Sequence, residues 1–193
     1  MSLILASSSP IRRHLLTAAG VEHEVVAPDV DEAALKAGLD RPGEIASALA
    51  KAKALSVSRV RPDDWVIGGD SVVTVGGHIF SKPANRDEAG EHLRFFSGKA
   101  MTLTSAAALA RGGAIDWDHA GTATLHVRPL SEEFIADYLD AEWPEVGYCV
   151  GVFRLEGRGV QLFDGIQGGH FTILGLPLLP LLGALRERGL ILA

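Results

Sequence analysis

The sequence predicts an α/β fold in one domain covering residues 1–193. Three observations carry this. Apolar, β-branched runs alternate along the chain with segments whose apolar residues recur at helical spacing. A chain of 193 residues that is 47% hydrophobic and 22% charged has the length of one sizeable domain with a full core. No internal repeat or low-complexity linker divides it.

The first apolar run, Leu3-Ile4-Leu5-Ala6, leads into Ser7-Ser8-Ser9-Pro10-Ile11-Arg12-Arg13. Serine suits a helix cap and proline the first helical position, so a helix starts at Pro10, capped by Ser9, with Leu15, Leu16 and Ala19 turned inward. A helix start offers unpaired N–H groups and the positive end of a dipole, to which the three hydroxyls and two guanidinium groups add donors. The stretch reads equally as a phosphate-gripping turn and as a capped surface helix with solvated arginines. Gly20 stops the helix, and Glu24-Val25-Val26-Ala27 forms a short strand. Pro28-Asp29-Val30-Asp31-Glu32 is loop-like, either a solvated acidic turn or a source of hard oxygen ligands for a cation such as Mg2+.

Pro42-Gly43-Glu44 opens a helix reaching about Val60, with Ile45, Ala48, Leu49, Ala52 and Leu55 as its inward stripe. Lys51 and Lys53 flank that stripe on opposite sides, and spacing distinguishes neither, since a lysine beside a core stripe commonly snorkels. The strand over 65–75 contains Gly68, Gly69 and Asp70. Aspartate is depleted in strands and costly to bury unpaired, while glycines allow close approach of another group. Asp70 is therefore a candidate metal ligand or general base, set against a structural aspartate at a bulge.

Gly76-Gly77 makes a hairpin turn, and the chain returns through His78-Ile79-Phe80 to Ser81-Lys82-Pro83, where Lys82 either meets a phosphate or is solvated. Asn85 caps a helix that stops at Gly98, two long strands cover 100–110 and 114–127, and Ser131 caps a helix over 132–139. The glycine-rich stretch 147–169 matches neither GxGxxG opening a helix nor GxxxxGK[ST]. Glu156 within it is a surface turn, or a carboxylate at a pocket wall where glycines leave space for a flat base. The apolar run 171–185 falls short of the roughly 20 residues a membrane span needs and carries Pro177 and Pro180, so it reads as buried loop and helix, in the core or at a subunit contact.

A net charge of −6 gives no broad electrostatic footprint for nucleic acid, so any polyanion contact is local. A single cysteine, Cys149, closes no intrachain disulfide, and no signal-peptide pattern opens the chain. The expectation is a cytoplasmic protein with neither nucleic-acid nor membrane partners.

In chain order these pieces resemble the Maf family of nucleoside triphosphate pyrophosphatases over nearly the whole length. Residues 6–13 resemble its opening SxSPxR signature, and Gly69-Asp70-Ser71-Val72-Val73 resembles the segment with its catalytic aspartate. Ser81-Lys82-Pro83, Ser97-Gly98 and Gly175-Leu176-Pro177 resemble its KP, SG and GLP segments. The resemblance implies a mixed β-sheet flanked by helices, similar to the inosine triphosphate pyrophosphatase fold. It implies hydrolysis of a nucleoside triphosphate between the α and β phosphates, a divalent metal (Mg2+ or Mn2+), and a homodimer. By the same resemblance Asp70 is the catalytic residue and a metal ligand with Glu32, and Ser8, Ser9, Arg13, Lys53 and Lys82 bind substrate. Lys53 is preferred to Lys51 on resemblance alone.

Three positions bear on substrate choice. Family members that favour dTTP and UTP carry arginine, threonine and glutamine where this chain has Ile11, Ser71 and Glu156. Members resembling 7-methyl-GTP pyrophosphatases carry glutamate at the last position, which suits a cationic N7-methylated guanine, but tryptophan and glutamine at the first two. The leaning is to the 7-methyl-GTP subgroup, with dTTP or UTP as the alternative. Ala52 replaces a glutamate common before the helical lysine, which keeps open a nucleotide-binding regulator of septum formation with little catalysis.

Overall fold

The computed structural model describes residues 2–192. Among them, strands β1 (Leu3–Ala6), β2 (Glu24–Val26), β3 (Trp65–Val75), β4 (His78–Phe80), β5 (Ala100–Arg111), β6 (Ala114–Val127) and β7 (Phe163–Gly168) alternate with helices. The helices are α1 (Pro10–Ala18), α2 (Glu32–Lys36), α3 (Pro42–Ser58), α4 (Arg86–Phe96), α5 (Glu132–Glu142), α6 (His170–Ile173) and α7 (Leu178–Glu187). The fold is mixed α/β, with parallel and antiparallel strand pairs and flanking helices. The chain forms two compact units, and β3, β5 and β6 contribute residues to both.

Among the described residues the first unit comprises 2–71, 104–122 and 169–192. Here β1 lies between β2 and β3, parallel to both, with Ile4 opposite Glu24 on one side and Val66 on the other. Burial on both faces explains why β1 is a continuous apolar run rather than an alternating one. The unit's core gathers Leu5, Leu16, Ile67, Leu109, Leu181 and Leu185 around Trp65. The apolar run after residue 170 thus supplies core, as one of its two expected readings had it, through Leu176, Leu178, Leu181 and Leu185.

Two local expectations need correction. Ser9 occupies the cap position of α1, but its side chain makes no capping bond. The buried Ser7 hydroxyl instead accepts the Ser9 N–H at 3.2 Å. In α3 the buried face is Ile45, Ala46, Leu49, Ala50, Ala54, Val57 and Ser58, whereas Ala48, Ala52 and Leu55 lie half-buried along an open groove with Val30 and Leu35. The physical reason is Gly68. A Cβ there would stand 2.1 Å from the Ala50 carbonyl oxygen and 2.7 Å from the Ala54 nitrogen, so β3 accepts α3 at backbone contact and only alanines fit the seam. The acidic stretch is loop through Asp31, as expected, and Asp31 caps α2, which starts at Glu32, by accepting the Ala34 N–H at 3.0 Å.

The second unit comprises Val72–Leu103 and Ala123–Gly168. Val73 pairs with Phe80 in the antiparallel β3–β4 hairpin, and Leu125 pairs with Ile166 in the antiparallel β6–β7 ladder. Asn85 and Ser131 cap α4 and α5 as their sequence positions require, accepting from Glu88 and Phe134 N–H groups at 2.9 and 3.1 Å. The glycine-rich segment resolves into short 3-10 turns at Glu145–Tyr148 and Arg158–Leu162, followed by β7, a strand its sparse apolar content did not announce. Among the described residues no helix is long and apolar enough to cross a membrane.

Candidate functional site

In the first unit, three elements bring charge to one place. Asp70 stands on β3, and though flanked by apolar strand it is paired: Lys53 Nζ on α3 donates to its Oδ1 at 2.7 Å. The same ammonium lies 2.7 Å from Glu32 Oε1, at the start of α2. The side chains of Lys53 and Asp70 are 11% and 12% exposed, whereas Glu32 is 44% exposed, so the buried pair reaches solvent on the Glu32 side. Burial alone would raise the Glu32 carboxyl, but the ion pairs with Lys53 and Lys36 outweigh it and hold the group below the usual carboxylate range.

The close seam at Gly68 is what delivers Lys53. With Ala50 and Ala54 against the strand, the lysine between them on the helix reaches the aspartate two residues along β3. Lys51, by contrast, points to an ion pair with Asp118 at 3.0 Å. The choice between the lysines that helical spacing left open is made by this backbone approach.

Sequence reasoning passed over Arg12. Its Nε donates to the Gly175 carbonyl at 2.8 Å and its Nη2 to Ser71 Oγ at 3.0 Å, while Nη1 lies 3.5 Å from Ser7 Oγ. Burial pushes its guanidinium below the ordinary value, and the carboxylates of Asp70 and Glu32 oppose that shift. Gly69 makes room for it, since a Cβ there would come within 3.3 Å of the Arg12 Cδ and Nε. Gly175, at φ +95°, turns the chain so that its carbonyl meets the guanidinium. Both signals for Arg12 were in the sequence: the SxSPxR spacing ends on it, and it precedes Leu15 and Leu16 by three and four residues, which is the core side of the helix.

Arg13 is exposed and lines an open hollow of about 410 Å3 with Ser7, Ser8, Ser9 and His14. Ile11 is half-buried in the first turn of α1. Ser71 sits among Arg12, Ser105 and Gly175. Lys82 and Glu156 are exposed residues of the second unit. There they and Arg154 lie within electrostatic reach of Cys149, whose thiol burial and Glu156 push up to about 11 against the opposing pull of Arg154 and Lys82.

Asp70 and Glu32 gather around the Lys53 ammonium, and one or two carboxylates are the usual protein share of a Mg2+ held together with substrate phosphates and water. Among the described residues no group of three or more His, Cys, Asp or Glu side chains could supply a larger all-protein cage.

Comparison with known proteins gives the chain its relatives. The family described as Maf-like protein matches residues 2–188. A protein of Rhizobium etli named 7-methyl-GTP pyrophosphatase is 48% identical over 193 residues, covering 98% of this chain and 97% of that one. A protein of Sphingopyxis alaskensis named nucleoside triphosphate pyrophosphatase is 46% identical over 195 residues, covering 98% of each. Among solved structures, the Staphylococcus aureus Ham1 protein aligns with a TM-score of 0.46 and 14% identity over 66% of this chain and 72% of that chain.

Proposed function

Because the chain belongs to the Maf family, we propose that it is a nucleoside triphosphate pyrophosphatase that cleaves the α–β phosphoanhydride of a modified or non-canonical nucleotide. The observation that carries this reading is the Lys53 ammonium held between the carboxylates of Asp70 and Glu32, with the Arg12 guanidinium nearby. In the reaction a water oxygen bonds to the α phosphorus, the bond from that phosphorus to the bridging oxygen breaks, and the monophosphate and pyrophosphate leave with release of one proton. Asp70 is bonded to Lys53 through Oδ1, and its other carboxylate oxygen orients the attacking water and takes its proton. Glu32 and Asp70 would hold Mg2+ or Mn2+, which when bound neutralises phosphate charge. The cations of this chain do the same work on the substrate side: Arg12, Arg13 and Lys53 bind phosphate, with Ser8 and Ser9 donating at the start of α1, and Lys82 is the further phosphate-binding residue that the family resemblance implies.

The preferred base is a cationic one such as 7-methylguanine, recognised through Glu156, with Ile11 and Ser71 as the other specificity positions. Relatives named for 7-methyl-GTP support this leaning. A panel of triphosphates scored for monophosphate and pyrophosphate tests the whole reading, with turnover requiring Mg2+ or Mn2+. Asp70→Asn lowers kcat at least about a hundredfold, the usual reach of a lost general base; full turnover in that variant removes Asp70 from the chemistry. Glu156→Gln shifts the ratio of 7-methyl-GTP to dTTP turnover downward, and an unchanged ratio removes Glu156 from base recognition.

The second reading, a regulator that binds nucleotide with little catalysis, is motivated by Ala52, which puts a methyl beside Lys53 where a carboxylate is usual. Tight triphosphate binding without product across the panel selects it. The chain is expected to work in the cytoplasm as a homodimer of a single pyrophosphatase domain, without nucleic-acid or membrane partners; sedimentation velocity reads the dimer directly.

A further inference from the structure

We propose that Ser105 is a positioning residue: its buried hydroxyl holds in place the two groups that receive the Arg12 guanidinium at 3.0 Å or less, Ser71 on one side and the turn at residues 172–175 on the other. The inference rests on reading the Asp70 group as the triphosphate site. Ser105 lies on β5 with no exposed surface, next to the buried run Ala106, Ala107, Ala108. A hydroxyl in such a place is tolerated only when its bonds are made.

Those bonds have a fixed direction. Ser105 Oγ donates its one proton to the Thr172 carbonyl at 2.7 Å. Toward Ser71 Oγ, 2.9 Å away, it can therefore only accept. Ser71 in turn accepts from Arg12 Nη2, because a guanidinium has donors alone. The chain runs from Arg12 through Ser71 and Ser105 to the Thr172 carbonyl, a cationic donor at one end and an acceptor-only group at the other. The second arm starts from the same carbonyl. Anchoring Thr172 fixes the turn that carries Gly175, and the Gly175 oxygen takes Arg12 Nε at 2.8 Å. Ser105 touches neither Arg12 nor any reacting atom, yet the two shorter bonds of the guanidinium, to Gly175 and Ser71, both lead to it.

Loss of that hydroxyl has a definite consequence. The Thr172 carbonyl keeps only the Gly175 N–H at 3.1 Å, a bond within the turn that does not tie it to β5, and Ser71 turns its proton to its other acceptor, the Gly175 oxygen 3.2 Å away, where it competes with Arg12 Nε. The wild-type arrangement also keeps the Ser71 proton inside the protein, so position 71 offers a substrate no donor of its own.

The test uses Ser105→Ala, Ser105→Thr, Ser71→Ala and the double alanine variant, read two ways: pyrophosphate-release kinetics with Mg2+, and hydrogen exchange of the Arg12 Nε–H in the ligand-free protein by 15N NMR. Ser105→Ala is expected to lower kcat/KM about tenfold, the scale of one lost hydrogen bond, and to speed Nε–H exchange by a similar factor. Ser105→Thr, which keeps the hydroxyl, recovers most of both. The double variant falls no further than the worse single one, because the two serines act in series. Unchanged Nε–H exchange in Ser105→Ala overturns the proposal, as do losses that simply add in the double variant. If Ser105→Ala does not fold, Ser105→Cys is read in the same two ways. Wild-type protein that releases no pyrophosphate from any triphosphate defeats the pyrophosphatase reading, and the exchange arm still decides whether Ser105 places Arg12.

Discussion

Arg12 and Arg13 are adjacent and chemically identical, yet the step of about 100° between neighbouring positions of α1 separates their fates. Arg12 is fixed by Gly175 and Ser71 near Asp70, while Arg13 stands exposed beside Ser8 and Ser9. Arg12→Lys keeps the charge but cannot reproduce a fork that spans two acceptors, so kcat/KM should fall at least about tenfold; kinetics equal to wild type would make its charge alone sufficient. Glu32 carries a pH signature. Its folded carboxyl lies below the ordinary 4.5, so the stability it contributes is present above that value and is lost as pH falls through the folded pKa. Denaturation curves of wild type and Glu32→Gln should therefore differ at neutral pH and converge as pH falls below the ordinary 4.5 and through the folded pKa. Cys149 behaves oppositely. With its thiol raised to about 11, it should resist iodoacetamide at pH 8 and react faster in Glu156→Gln, which removes the nearby negative charge.

At the scale of elements, the seam between α3 and β3 decides the site. Helical spacing in the sequence favoured a stripe through Ala48, Ala52 and Leu55, because it counts hydrophobic residues and cannot see that a glycine on a distant strand admits only alanines. Placing a Cβ at Gly68 drives it into the Ala50 carbonyl, backbone that cannot step aside. Gly68→Ala should cost about 1–3 kcal/mol as overpacking, lower Tm by about 2–12 °C, and depress turnover by shifting Lys53 from Asp70. A variant with native Tm and native kcat would show that the seam yields. Strands and caps were easier to read: the 65–75 run, the two long strands, and the Asn85 and Ser131 caps each follow from nearest-neighbour chemistry. β7 escaped because Asp164, Gly165, Gln167 and Gly168 carry little strand propensity, and its ladder with β6 makes it a strand.

At the scale of the whole molecule, a triphosphate that binds only the folded chain stabilises it by mass action. Asp70→Asn with Mg2+ and a triphosphate at a hundred times its Kd should gain about 2.7 kcal/mol; no thermal shift with any triphosphate would argue against a nucleotide site. The net charge of −6 predicts no retention on a polyanion column at physiological salt. What the sequence by itself determined was the α/β class, most element positions, and the family, because periodicity, caps and ordered motifs are local and survive in one dimension. It also singled out Asp70 as a buried carboxylate in need of a partner. Only the tertiary structure decided that the partner is Lys53, that Glu32 shares it, and that Arg12 is the arginine held at Ser71 and Gly175. Those are contacts between residues 17 to 163 positions apart, set by how closely backbones approach, and no window along the chain contains that distance.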